Sequence, residues 1–415
     1  MTRKLYYLIP CLMMAMVTFT GCGDDDNDND GPTGGGVLSA EKSKEKLSEI
    51  GQNLINLVNA DDQKQLAQVG NYFSEIVGSL EIQEKVNVQQ MVHSLVAASQ
   101  GDMAKVYAMA AVNNEMYQAS DYYGIYTYND SRDEWERTNS DSELALKFGY
   151  KGQTAEIKIA ATGNTTDFTS DGVTVKVPAK LTTTIKLGAT TLTSLEIATA
   201  NVNSSPRKAD ITVNIDANGY KVSTSVSATP QVVKANYSIN IKGTEAVKGE
   251  AYLNGSNMTA DEGANENIGD RFKDARIEAN IMGEATVLIQ CSSYKELARE
   301  LEQVEDQYDN ATGMWGESHE AAQATANVYK KYLNGNLTFG GSDEASAILA
   351  FQPYIDYSYT DQGGKHECWD AEPLLQFEDE SLISFEDYFD AASGPFKSLA
   401  DSFDALVRSF EGFIE

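Results

Sequence analysis

Few residues in this chain have the type and spacing that chemistry needs. Among 415 residues there are four Cys and three His. Two cysteines, Cys291 and Cys368, stand far from the N-terminus; in an oxidising compartment they are candidates for a disulfide. That bridge would close a loop of about 77 residues, worth on the order of 4 kcal/mol in the chain-entropy account. Two separate buried thiols are the alternative. Ser318-His319-Glu320 and His366-Glu367-Cys368 contain residue types used in nucleophilic and zinc sites, but neither His has a second His four residues away. His93 sits beside Val92 in a helical pattern and suits packing. No P-loop and no Gly-x-Gly-x-x-Gly opening a helix is present, so no metal or cofactor is expected and the chain is read as a non-enzyme. Aromatic rings offer another chemistry. Tyr122, Tyr126, Tyr128 and Trp135 cluster where the pattern turns to strand, and planar rings on a solvent-facing platform stack on sugars. Strand propensity of aromatics accounts for the same cluster without a ligand.

The most specific chemistry belongs to Cys22. Arg3 and Lys4 precede an apolar stretch, Leu5 to Phe19, followed by Thr20, Gly21 and Cys22. Fifteen residues at 1.5 Å each fall short of a bilayer core of about 30 Å, so the stretch has the form of a secretory signal and not of a spanning helix. Phe19-Thr20-Gly21-Cys22 resembles a bacterial lipobox, with Phe19 where an aliphatic residue is usual. The resemblance implies cleavage before Cys22, lipidation of its thiol and a membrane partner reached through that anchor.

Removing residues 1–21 takes away two basic residues and no acid, so a formal charge of −30 becomes −32. Asp24, Asp25, Asp26, Asp28 and Asp30 then follow the anchor. This acidic run resembles the export signal of surface lipoproteins of some Gram-negative bacteria, which implies an outer-membrane protein facing outward, or otherwise the periplasmic side. Asp26-Asn27-Asp28-Asn29-Asp30-Gly31 copies half of an EF-hand loop, but the twelfth position is Val37 where a bidentate Glu is required. The strong acidity disfavours nucleic acid, whose binding rests on clustered Lys and Arg.

These residues must be held by elements that hydrophobic periodicity identifies. Residues 1–21 are signal and 22–38 an acidic, Gly-rich tether. In 39–120, Leu47, Ile50, Leu54, Leu57 and Val58 recur at helical spacing from a cap at Ser39; a second stretch runs from Gln65 to Leu80 and a third from Val88 to Val112. A helical lobe is expected there. Near Tyr122 the period falls to two, and 121–291 reads as eight to ten strands on short turns, with Asn218-Gly219 the strongest hairpin signal. Pro178 is expected at a strand end or edge, and Ile277 to Gln290 as one strand ending at Cys291. In 292–415, helices are expected at Tyr294–Tyr308, at Glu317–Leu333 and from Pro395, with alternation between them.

The fold expected is α+β: an N-terminal helical lobe and a long antiparallel meander packed on one face by helices. The function expected is a non-catalytic binding or structural role. Two ligands fit the pattern, an apolar molecule or lipid held in a curved sheet and a glycan on the aromatic cluster.

Overall fold

The computed structural model describes residues 38–77, 123–170, 173–204, 207–257, 271–308, 318–361, 364–384 and 396–411. Five helices and sixteen strands lie within them. The fold is mostly β, with strands outweighing the helices that the α+β expectation set beside them.

The strands form one sheet whose spatial order follows the chain. They are β1 Gly124–Asn129, β2 Glu134–Thr138, β3 Leu144–Tyr150, β4 Gln153–Ser170, β5 Val173–Leu187, β6 Thr190–Ser204, β7 Arg207–Ala217 and β8 Tyr220–Ala228. The run continues with β9 Val232–Ile241, β10 Thr244–Gly255, β11 Phe272–Ile281, β12 Ala285–Cys291, β13 Leu333–Phe339, β14 Ala347–Asp361, β15 Gly364–Phe377 and β16 Leu382–Ile383. All neighbours are antiparallel except β1 and β3, which pair in parallel with β2 outside them. So long a sheet cannot stay flat, because each strand carries a right-handed twist. Bulges in β4, β6, β10 and β14 add local bends.

The turns explain the tight meander. Asn218 and Gly219 both have positive φ, as the two-residue hairpin signal requires. Ile277 to Gln290 is not one strand. It folds back at Met282-Gly283, again with both φ positive, to give β11 and β12. Methionine is not a turn residue, so only Gly283 marked the place. Pro178 is also not at a strand end: β5 runs through it. It lies opposite the β4 bulge, before pairing with β6 begins at Lys180, so its missing N–H leaves no ladder bond unmade.

The helices are α1 Ala40–Leu57, α2 Asp61–Ile76, α3 Tyr294–Tyr308, α4 His319–Tyr332 and α5 Lys397–Glu411. Ser39 caps α1, its Oγ accepting from the Lys42 N–H at 3.4 Å. Leu47, Ile50 and Leu54 of α1 pack with Leu399 and Leu406 of α5 over Ile241, Val247, Ile281 and Leu337 of the sheet. Val69 and Phe73 of α2 join a separate cluster with Leu146, Phe148 and Ile157. Among the described residues α1 and α2 share no core cluster with one another, and each packs on the sheet. The remainder of the expected lobe lies outside the described residues.

Helices α3 and α4 cover the far ends of β11 to β15, with Leu297 and Val328 on Cys291, and Ala326 on Phe351 and Ala371. Strands β13 to β16 continue the sheet of β1 to β12, so the boundary expected at 291 falls inside one sheet. Cross-strand register puts the sheet residues of all four clusters on the same face. No described helix is long and apolar enough to cross a membrane.

Candidate binding face of the sheet

The face opposite the helices is built by the polar half of each alternation. Along β8 to β13 the register aligns this half into three cross-strand rows. Ser223, Ser238, Lys248, Asn280 and Thr286 form one. Ser225, Asn236, Glu250 and Glu278 form the next, and Ser227, Lys234, Tyr252, Arg276, Gln290 and Asn334 the third. Side chains on one face of adjacent strands stand about 4.5–5.5 Å apart at Cβ, so each row is a continuous strip of polar groups.

Two shallow depressions, about 420 Å³ and about 550 Å³, lie on these rows and share Glu250. The first is floored by Ser223, Ser225, Asn236 and Asn280, the second by Tyr252, Arg276, Gln290 and Asn334. Lys234 Nζ meets Glu250 at 2.7 Å, and Arg276 pairs with Glu278. The hydrogen bond from Lys234 holds the Glu250 carboxyl below the usual carboxylate range, helped by the charge of Arg276. Glu250 is therefore an ionised acceptor near neutral pH. Two facing carboxylates are the arrangement a hydrolase uses, but a general acid at that pH needs the opposite shift. Asn236 Nδ2 donates to Ser225 Oγ at 3.3 Å, and Asn280 Nδ2 to Thr286 Oγ1 at 3.1 Å. Arg276 Nε is buried with no acceptor.

On the helix-bearing side, Tyr237 lies across its cross-strand partner Gly249 so that its hydroxyl donates to the Glu278 carbonyl at 3.4 Å. A Cβ at Gly249 would stand 2.5 Å from that hydroxyl oxygen and closer still to the carbonyl. Glycine is required there because a side chain would occupy the space of the Glu278 carbonyl and of the ring. This ties β9, β10 and β11, which carry the centre of the polar rows, into one unit.

The residues that sequence reasoning singled out are placed elsewhere. Tyr126 is only 2% exposed, with the Arg137 guanidinium over its ring at 5.7 Å. Trp135 donates Nε1–H to the Ile76 carbonyl at 3.2 Å and packs edge-on against Phe73. Tyr128 donates to Asp133 Oδ1 at 2.6 Å, a bond that pushes its phenol up to about 12, and its ring is tilted 49° from that of Trp135. These rings anchor α2 to β1 and β2 and do not form a coplanar platform. Tyr122 and Cys22 lie outside the described residues.

Cys291 and Cys368 are not joined to each other. They stand on β12 and β15, three strand spacings of about 4.8 Å apart, whereas a disulfide needs Cα atoms within about 7 Å. Burial raises the Cys291 thiol above its ordinary range. Ser318 caps α4 by accepting from the Ala321 N–H at 3.2 Å. His319 meets the Trp369 ring edge-on at 4.6 Å, and His366 stacks on Tyr359 at 5.0 Å. Among the described residues no three His, Cys, Asp or Glu converge on a metal position.

The alternation of Lys234, Asn236 and Ser238 marked which residues face away from the core. What sequence reasoning missed was their alignment with Glu250, Glu278 and Arg276 of later strands, which depends on register at each turn. Compared with protein families, curated proteins and solved structures, the chain matches none.

Proposed function

We propose that the chain is a non-catalytic binding protein of the Gram-negative outer membrane, tethered through acylated Cys22 with its globule facing outward. Its ligand lies on the polar face of the sheet. The observation that carries this reading is the face that no described element covers: three aligned polar rows with two depressions, opposite the face on which the described helices pack. The lowered Glu250 carboxyl suits an acceptor of a ligand hydroxyl and not a general acid.

The lipobox and the acidic run behind it support the anchor. The test is fractionation and protease shaving of cells carrying the natural chain or Cys22→Ser. The natural chain is expected in the outer membrane and shaved from intact cells; the variant is expected in the soluble fraction. A variant that still fractionates with membranes overturns the anchor.

A second reading, a carrier of an apolar ligand, has one observation in its favour. Ile277 is 50% exposed on the helix-bearing face, beyond the reach of α1 and α5. Under those two helices the interface is filled, with Leu47, Ile50, Leu337 and Leu399 fully buried.

A further inference from the structure

We propose that the polar face binds a neutral oligosaccharide laid across the strands from β8 to β13. The proposal rests on the reading of that face as the ligand surface and adds the chemical class of the ligand.

Charge decides against an ion. Lys234 is matched by Glu250, Arg276 by Glu278 and Lys248 by Glu245, so each cation of the rows has a carboxylate beside it and the face offers no net field to select one sign. The whole chain, at −30, repels a polyanion.

Hydrogen bonding favours hydroxyls. Glu250 and Glu278 accept only, Ser225 both donates and accepts, and Asn236 presents a donor and an acceptor on one amide. A sugar hydroxyl also does both, so neighbouring hydroxyls can bridge these groups without leaving a charge unmatched. Tyr252, half-buried between Lys234 and Arg276 on adjacent strands, supplies a ring for the apolar C–H face of a sugar.

Extent favours a chain of sugars over one. The two depressions meet at Glu250 and together cross β8 to β13. Five strand spacings of about 4.8 Å make roughly 24 Å. The ligand runs perpendicular to the strands, because that is the direction in which the rows continue.

Hydroxyl-radical footprinting of the mature protein carrying Cys22→Ser tests this, with neutral hexasaccharides of glucose, mannose, galactose and xylose as probes, beside a heparin hexasaccharide and a fatty acid. The expected result is that at least one neutral hexasaccharide protects Tyr252 from oxidation. Tyr252→Ala then weakens its binding by about tenfold or more with an unchanged melting temperature. Glu250→Gln is the second variant, should Tyr252→Ala fail to fold. Protection of Tyr252 by heparin alone overturns the ligand class and leaves the face as the binding surface. Protection confined to the helix-bearing side overturns both. No protection by any neutral hexasaccharide overturns the proposal.

Discussion

Tyr220 donates its hydroxyl proton to Asp62 Oδ2 at 2.9 Å, while the Tyr220 hydroxyl oxygen itself accepts from the Asn59 N–H at 2.8 Å. The turn between α1 and α2 is thereby held against the tip of the β7–β8 hairpin. Lys242, in the next turn of the sheet, also pairs with Asp62, and Asn218 Nδ2 donates to the Asp62 carbonyl at 2.7 Å. Two hairpin tips thus grip one helical turn.

This contact makes stability depend on pH at both extremes. Burial first, and then the bond to Asp62, push the Tyr220 phenol up to about 12. Its contribution is complete below the ordinary tyrosine value of about 10 and is lost as pH rises through about 12. The Lys242 bond lowers the Asp62 carboxyl, so its contribution is complete above about pH 4 and lost as pH falls through the lowered value. Tyr220→Phe is expected to cost about 1 kcal/mol in urea unfolding at neutral pH. It should also flatten the alkaline limb of the stability profile; an unchanged limb contradicts the assignment.

Gly249→Ala is expected to destabilise by about 1–3 kcal/mol, as overpacking does, because its Cβ enters the space of the Tyr237 hydroxyl and the Glu278 carbonyl. Combining it with Tyr237→Ala should restore little, since the carbonyl remains. Denaturation of the single and double variants reads the coupling. Full rescue by the second change would show that the ring alone requires the glycine.

Leu399→Ala should cost about 2–5 kcal/mol, since the side chain is wholly buried between α5, α1 and the sheet. Ile277→Ala, on the same face but half exposed, should cost well under half as much. Thermal melts of the two variants side by side check the difference. Equal losses would mean that Ile277 is covered.

Reduction should leave the melting temperature unchanged, because Cys291 and Cys368 are three strands apart. In the native protein the Cys291 thiol should alkylate slowly at neutral pH, since burial raises its pKa and the thiolate is the nucleophile. Mass spectrometry of trapped thiols, native and unfolded, reads both. A Cys291–Cys368 peptide pair would refute the strand placement.

Much of the fold was legible in the residues. Leu47, Ile50 and Leu54 announced α1, and Tyr294–Tyr308 is a helix at the bounds its periodicity indicated. The period-two runs from Leu144 onward announced the meander. What was not legible depends on partners distant in sequence. A residue's alternation says that it faces away from the core but not which residue of the next strand stands beside it. Glu250 opposite Glu278 is therefore visible only once both turns are known. The same holds for Tyr126 and Trp135: strand propensity accounted for the aromatic cluster, but only the docking of Phe73 shows that the Tyr126 ring is core and that the Trp135 ring packs half-buried against it. Cys291 and Cys368 carry no spacing information at all, so the bridge could be settled only by strand order.

The most direct test of the account is a comparison of the two faces by titration. The mature protein carrying Cys22→Ser, and its Asn236→Ala, Glu250→Gln and Ile277→Ser variants, are each titrated calorimetrically with the neutral hexasaccharides and with a fatty acid. The account predicts binding of a hexasaccharide, weakened by about tenfold or more in the two polar-face variants and unchanged in Ile277→Ser. Fatty-acid binding that Ile277→Ser abolishes, with no hexasaccharide bound by any form, would contradict it.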